Sequence, residues 1–145
     1  MITIFLFSFK ESEGFKWYSL TEGLELARRD NKPMLIFIYT SWCDKCQRME
    51  KKVFSKNDVS LLITENFIPV KLNAEVDSAY FKNDKVLNRK VFLGEVTPGK
   101  MAVMVPTTVF YREKENDNVI MNGLQDPEEL TANIQKFLNK QQWMK

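Results

Sequence analysis

The sequence predicts an α/β domain, a central mixed β-sheet with helices on both faces. Three observations predict it. Apolar runs at 34–39 and 67–72 are short and rich in aromatic or β-branched residues, as strands buried on both sides are. Amphipathic segments with helix-start signals at Ser19 and Asp126 flank the strand-forming region. The last third reads as two strands joined by a polar turn and followed by a helix, so strand–helix alternation gives way to a hairpin.

Each element has a local cause. Ser19-Leu20-Thr21-Glu22 has the S-x-x-E form of a capping box, and Leu20, Gly23, Leu24 and Ala27 follow at helical spacing. Pro33 ends that helix, because proline drives the residue before it into extended backbone. Thr40 and Ser41 are expected to cap a helix from about Cys43 to Val53, with Cys46, Met49 and Val53 on one face. Ser55 or Asn57 is expected to cap a third helix carrying Val59, Leu62 and Ile63, with Asn66 as its stop. In the segment 79–99, the first half is expected as a polar helix with Tyr80, Phe81 and Leu87. The second half, with Gly94, Pro98 and Gly99, is expected as loop. Strands are expected at 105–111 and 119–121. Asp126-Pro127-Glu128-Glu129 then starts the last helix, whose apolar face is Leu130, Ile134, Phe137 and Leu138.

A chain of 145 residues suits one domain and can bury a core without metals or structural disulfides. The apolar run at 2–9 is too short to cross a bilayer and is either an edge strand or the remnant of an export signal. The domain is therefore expected to occupy 17–145, after a separate segment at 1–16.

Composition narrows the function. The net charge is +2, and acids interleave with bases even in the basic stretch 82–100, where Asp84 and Glu95 stand among the lysines. Those are solvated faces, not the concentrated patch of a nucleic-acid binder. The chain has no histidine and two cysteines, which removes Ser–His and Cys–His catalysis and leaves zinc short of ligands. No phosphate-binding glycine loop and no flavin or haem motif is present, so no metal or cofactor is expected beyond a redox-active Cys43–Cys46 disulfide.

That pair carries the chemistry. Trp42-Cys43-Asp44-Lys45-Cys46 sits where a buried strand meets a helix. The partial positive charge and free N–H groups of a helix N-terminus favour a thiolate. Cys43 is therefore expected to be the exposed nucleophile, with Cys46, one turn further in, as the buried resolving thiol. Lys45 should assist the thiolate and Asp44 oppose it. Cysteines three apart cannot staple distant parts of a fold, so a structural disulfide here would stabilise little. Trp42 either shields the pair or packs in the core, and Met101, Met104 and Tyr111 belong to core or rim.

An ordered set of motifs resembles the thioredoxin-like family, more narrowly the C-terminal domain of the bacterial thiol reductase DsbD and related periplasmic proteins. The set comprises Asn31-Lys32-Pro33 before a strand, Trp42-Cys43-x-x-Cys46-x-x-Met49-Glu50 and Val53-Phe54-Ser55. It continues through Asn66-Phe67-Ile68-Pro69-Val70-Lys71, Val105-Pro106-Thr107 and Gly123. The resemblance implies a thioredoxin fold and thiol–disulfide exchange with protein thiols and disulfides, as a reductase re-reduced by an upstream thiol protein. It also implies an extracytoplasmic setting, the cytoplasm being the alternative; a monomer with no nucleic-acid partner and no stable membrane span is expected. Further implications are a cis Val105–Pro106 bond facing the cysteines, and extended substrate pairing with Val105.

The family's usual buried acid, six residues before the first cysteine, is replaced by Phe37. Glu50 matches a second acid of the DsbD domain and follows Cys46 at i+4, so it is expected either to accept the Cys46 proton or to be a solvated partner of a lysine. Lys71 matches a lysine behind the motif and is otherwise a surface residue; Glu75 is a further candidate base. Two other functional classes remain: a binding or chaperone module with an idle Cys-x-x-Cys, and a metallochaperone.

Overall fold

The computed structural model describes residues 15–75, 104–115 and 117–140, and the backbone of 78–81 and 85–88. The apolar run at 2–9, the loop expected at 94–99 and Met101 lie outside the described residues.

Helix α1 (Leu20–Asp30) starts on the expected capping box: the Ser19 side chain accepts from Glu22 N–H, and the Glu22 carboxylate accepts from Ser19 N–H at 3.0 Å. It ends at Asn31, in the left-handed region at φ 51°. Strand β1 (Met34–Tyr39) leads to α2 (Asp44–Met49), which continues as a π-helical segment, Glu50–Phe54. Helix α3 (Asn57–Asn66) and β2 (Ile68–Asn73) follow. Then come β3 (Ser78–Phe81), β4 (Lys85–Asn88), β5 (Thr107–Arg112), β6 (Asp117–Asn122) and α4 (Pro127–Lys140).

The main sheet has the order β2-β1-β5-β6, with β1 parallel to β2 and antiparallel to β5, and β5 antiparallel to β6. Side chains alternate across it. Met34, Ile36, Ile38, Val70, Leu72, Val109 and Tyr111 join Leu20, Leu24 and Ala27 of α1 in one core. Leu35, Phe37, Phe110 and Phe67 join Met49, Ile63, Leu130, Ile134 and Phe137 on the other face, together with both cysteines. This is the mixed sheet with helices on both faces that the sequence predicts. Each large side chain fully buried here contributes about 1.5–3 kcal/mol. On the first face α1 lies so close to β2 that a Cβ on Gly23 would sit 2.2 Å from Val70 Cγ2.

Several local expectations are corrected. The polar helix expected around 79–87 is instead an antiparallel pair, β3 with β4. Tyr80, Phe81 and Val86 favour strand, and Asn83 and Asp84 are poor helix formers. The Cys43–Val53 helix is not uniform but turns π-helical at Glu50. Neither Thr40 nor Ser41 caps α2, because Cys43 occupies the N-cap. Lys56 takes that position in α3 and makes no side-chain cap, while Ser55 Oγ donates back to Lys51 O at 2.5 Å. Strand β5 begins at Thr107, so Val105 and Pro106 precede the ladder, as suits a residue without an N–H.

Candidate active site

The parallel strand β1 delivers the chain to one end of the sheet, and the tight 40–43 segment turns it into α2. Cys43 N–H donates to Thr40 O at 3.4 Å, and Gln47 N–H donates to Cys43 O at 3.2 Å. At the N-cap the Cys43 side chain does what an oxygen usually does there: Sγ accepts the Cys46 backbone N–H at 3.1 Å. Cys43 and Cys46 are joined by a disulfide, with Cα atoms 5.2 Å apart. Both cysteines are buried, so the exposure expected of Cys43 holds only relative to its partner: Cys43 is 6% exposed and Cys46 1%. Asp44 and Lys45 both face solvent.

Trp42 is 67% exposed, which excludes the core-packing role. Its indole N–H donates to Glu75 Oε1 at 2.8 Å, and Glu75 N–H in turn donates to Asn73 Oδ1. The segment after β2 thereby holds the tryptophan beside the cysteines. The sequence offered Glu75 only as a spare base; nothing local announces a bond spanning 33 residues.

Beneath the motif, Phe37 occupies the place where relatives of this architecture are expected to carry an acid. It is fully buried, with Phe54 5.0 Å, Trp17 5.8 Å and Tyr39 6.0 Å away between ring centroids. The Phe37 and Tyr39 rings are nearly parallel. Lys71 Nζ lies 4.4 Å above the Tyr39 ring and 2.7 Å from Glu50 Oε2. Both partners of that ion pair are half-buried. Glu50 and Lys71, picked singly from the sequence, are thus one unit at the rim of the aromatic layer. Glu50 starts the π-helical segment, a feature that often marks functional sites.

The Val105–Pro106 bond is cis, and Pro106 O accepts Gly123 N–H at 2.7 Å. Gly123 has φ 93°, which disfavours any side chain there. Thr107 Oγ1 donates to Met104 O and lies 3.1 Å from Asn122 Oδ1, fixing the turn on both sides. Val105 packs against the layer that contains both cysteines, and Met104 is 64% exposed. Tyr111 lies in the opposite core, away from the site.

Comparison with known proteins agrees with this architecture. A solution structure of a thioredoxin from Thermus thermophilus superposes with a TM-score of 0.63 at 20% identity, covering 86% of this chain and 88% of that one. The reduced C-terminal domain of DsbD from Neisseria meningitidis gives 0.58 at 14% identity, covering 79% and 90%. An uncharacterized protein of Archaeoglobus fulgidus is 37% identical over 75 residues, 51% of this chain and 58% of its own length. Human spermatogenesis-associated protein 20 is 33% identical over 69 residues, 44% of this chain and 9% of that protein. The chain therefore covers less than two thirds of either relative. The thioredoxin-like family model matches residues 16–112, and the chain belongs to the thioredoxin-like family.

Proposed function

We propose that the protein is a thiol–disulfide oxidoreductase acting as a reductant of protein disulfides. The observation that carries this is the Cys43–Cys46 disulfide at the α2 N-terminus, with Cys43 Sγ accepting the Cys46 N–H and Cys43 the less buried of the two. In the reduced enzyme the Cys43 thiolate attacks one sulfur of the substrate disulfide. A mixed disulfide forms and the other substrate sulfur leaves as a thiolate. Cys46, losing its proton, then attacks Cys43 Sγ, releasing the second substrate thiolate and closing the Cys43–Cys46 disulfide. A dithiol donor protein restores both thiols by the reverse exchange. Glu50 accepts the Cys46 proton, directly or through one water, with Lys71 holding its carboxylate. Trp42, Val105 and Pro106 form the surface on which extended substrate lies, and Asp44 and Lys45 tune the Cys43 thiolate in opposite directions. The family resemblance and the apolar run at 2–9 support an extracytoplasmic setting, which cell fractionation tests.

Alkylation of the reduced protein at neutral pH should label Cys43 first. Cys43→Ser should abolish exchange, and Cys46→Ser should accumulate mixed disulfides with substrate. Normal turnover by Cys46→Ser would rule out the two-thiol mechanism. The second reading, a binding module with an idle disulfide, is favoured by one observation, Phe37 in place of the buried acid. Reduction of a small disulfide by the wild-type protein separates the two.

A further inference from the structure

The helix that leaves the disulfide carries an uneven charge. Lys45, Arg48, Lys51, Lys52 and Lys56 fall within one short stretch, and all are exposed. The only acids in that stretch are Asp44 and Glu50, and Glu50 is taken by Lys71. Of the arginines among the described residues, Arg28, Arg29 and Arg112 each have a carboxylate within 4 Å; Arg48 has none. Lys45, Arg48 and Lys52 follow at i, i+3 and i+7, so they line one side of the helix while Cys46, Met49 and Val53 face the core.

Arg48 and Lys52 also form one wall of a groove of about 300 Å³, whose other wall is Leu124, Gln125 and the start of α4. The residues lining that groove are close in sequence to those of the active site. Arg48 lies two residues beyond Cys46, and Leu124 follows Gly123, whose N–H bonds Pro106 O. The far wall includes two acids, Asp126 and Glu129, but Asp126 Oδ1 is turned to its own helix and accepts Glu129 N–H at 2.8 Å. Lys45, Arg48 and Lys52 are a cationic edge, exposed along the helix that starts at the disulfide.

We infer that this edge selects protein disulfides whose cysteine is flanked by an acidic segment. The inference rests on the proposed exchange activity and names its substrate class. Seven residues of helix span about 10 Å, which an extended chain covers in about three residues. Carboxylates within that distance of the target cysteine would meet Lys45, Arg48 and Lys52 while the target sulfur reaches Cys43. Such complementary charge acts mainly on association rate and is screened by salt.

The test uses the reduced full-length chain and three disulfides: neutral hydroxyethyl disulfide, and two peptides with one internal disulfide, flanked on both sides by three glutamates or by three lysines. At low ionic strength the acidic peptide should be reduced at least about tenfold faster than the basic one, a ratio within the range of electrostatic steering. That ratio should approach one in about 0.5 M salt, where the Debye length falls to a few ångströms. Arg48→Glu with Lys52→Glu should reverse it. Equal peptide rates at low salt, or a preference that survives the double substitution, would overturn the inference while leaving the exchange activity standing. Failure of the wild-type protein to reduce hydroxyethyl disulfide would overturn both.

Discussion

The two faces of the sheet are built from different materials. The α1 face is mainly aliphatic, with Leu20, Leu24, Met34, Ile36, Ile38, Val70 and Val109 beside a single buried aromatic, Tyr111, and with Gly23 letting helix and strand touch. The disulfide face carries the phenylalanines: Phe37, Phe54, Phe67, Phe110 and Phe137 share one core with Leu35, Ile63, Leu130, Ile134 and both cysteines. Close aliphatic packing stabilises but offers no group to move a proton. Charges border the aromatic face: Glu50 and Lys71 sit at the edge on top of Tyr39, and the buried Arg112 guanidinium lies 4.1 Å over the Phe137 ring. The contrast shows how a disulfide can be set in an apolar layer: the position that could hold an acid is filled with Phe37, and the Glu50–Lys71 ion pair stands at the rim.

Removing the central ring should break the contrast most severely. Phe37→Ala takes a fully buried ring from contact with Phe54, Trp17 and Tyr39, and should cost about 3–5 kcal/mol of stability. Water admitted to the layer should also speed alkylation of Cys46 in the reduced protein. Chemical denaturation and mass-mapped alkylation read the two effects. A cost no larger than that of a surface substitution would mean the aromatic layer is not what encloses the cysteines.

A smaller effect sharpens the role of the rim. Glu50→Gln keeps shape and removes the base, and should slow decay of the mixed disulfide by roughly 10- to 100-fold while the reactivity of Cys43 changes little. Stopped-flow measurement of that decay decides it; an unchanged rate would return Glu50 to the role of a lysine's partner and leave Glu75 or water as proton acceptor. The aliphatic face gives the smallest effect. Gly23→Ala gains about 1 kcal/mol of helix propensity but forces a methyl into Val70, an overpacking cost of about 1–3 kcal/mol. Net destabilisation should appear in the denaturation midpoint, and the kinetics of exchange should not change. Altered exchange would mean the two faces are coupled.

Much of this was legible in the sequence because its causes are local. The Ser19–Glu22 box, the buried run of β1 and the Asp126 helix start each announce themselves within a few residues. The Cys-x-x-Cys and its place before a helix were legible for the same reason. What escaped depends on tertiary partners. The bond from Trp42 to Glu75 spans 33 residues, and the Glu50–Lys71 pair requires the β1–β2 register that sets Phe37 beside Lys71. The β3–β4 pair was mistaken for helix because its strands have only four residues each, too few for a period to show. The capping role of Cys43 was assigned to Thr40 and Ser41 because sulfur is an unusual capping acceptor; a cysteine that starts a helix signals it only weakly.

The most direct measurement is an equilibrium redox titration of the Cys43–Cys46 pair against a dithiol/disulfide buffer, followed by thiol labelling. A reversible two-electron transition near about −270 mV, where thioredoxin lies, is the predicted result for a reductant of protein disulfides. A pair that does not titrate reversibly would contradict the exchange function, and a potential near about −120 mV, where the oxidant DsbA lies, would contradict its direction.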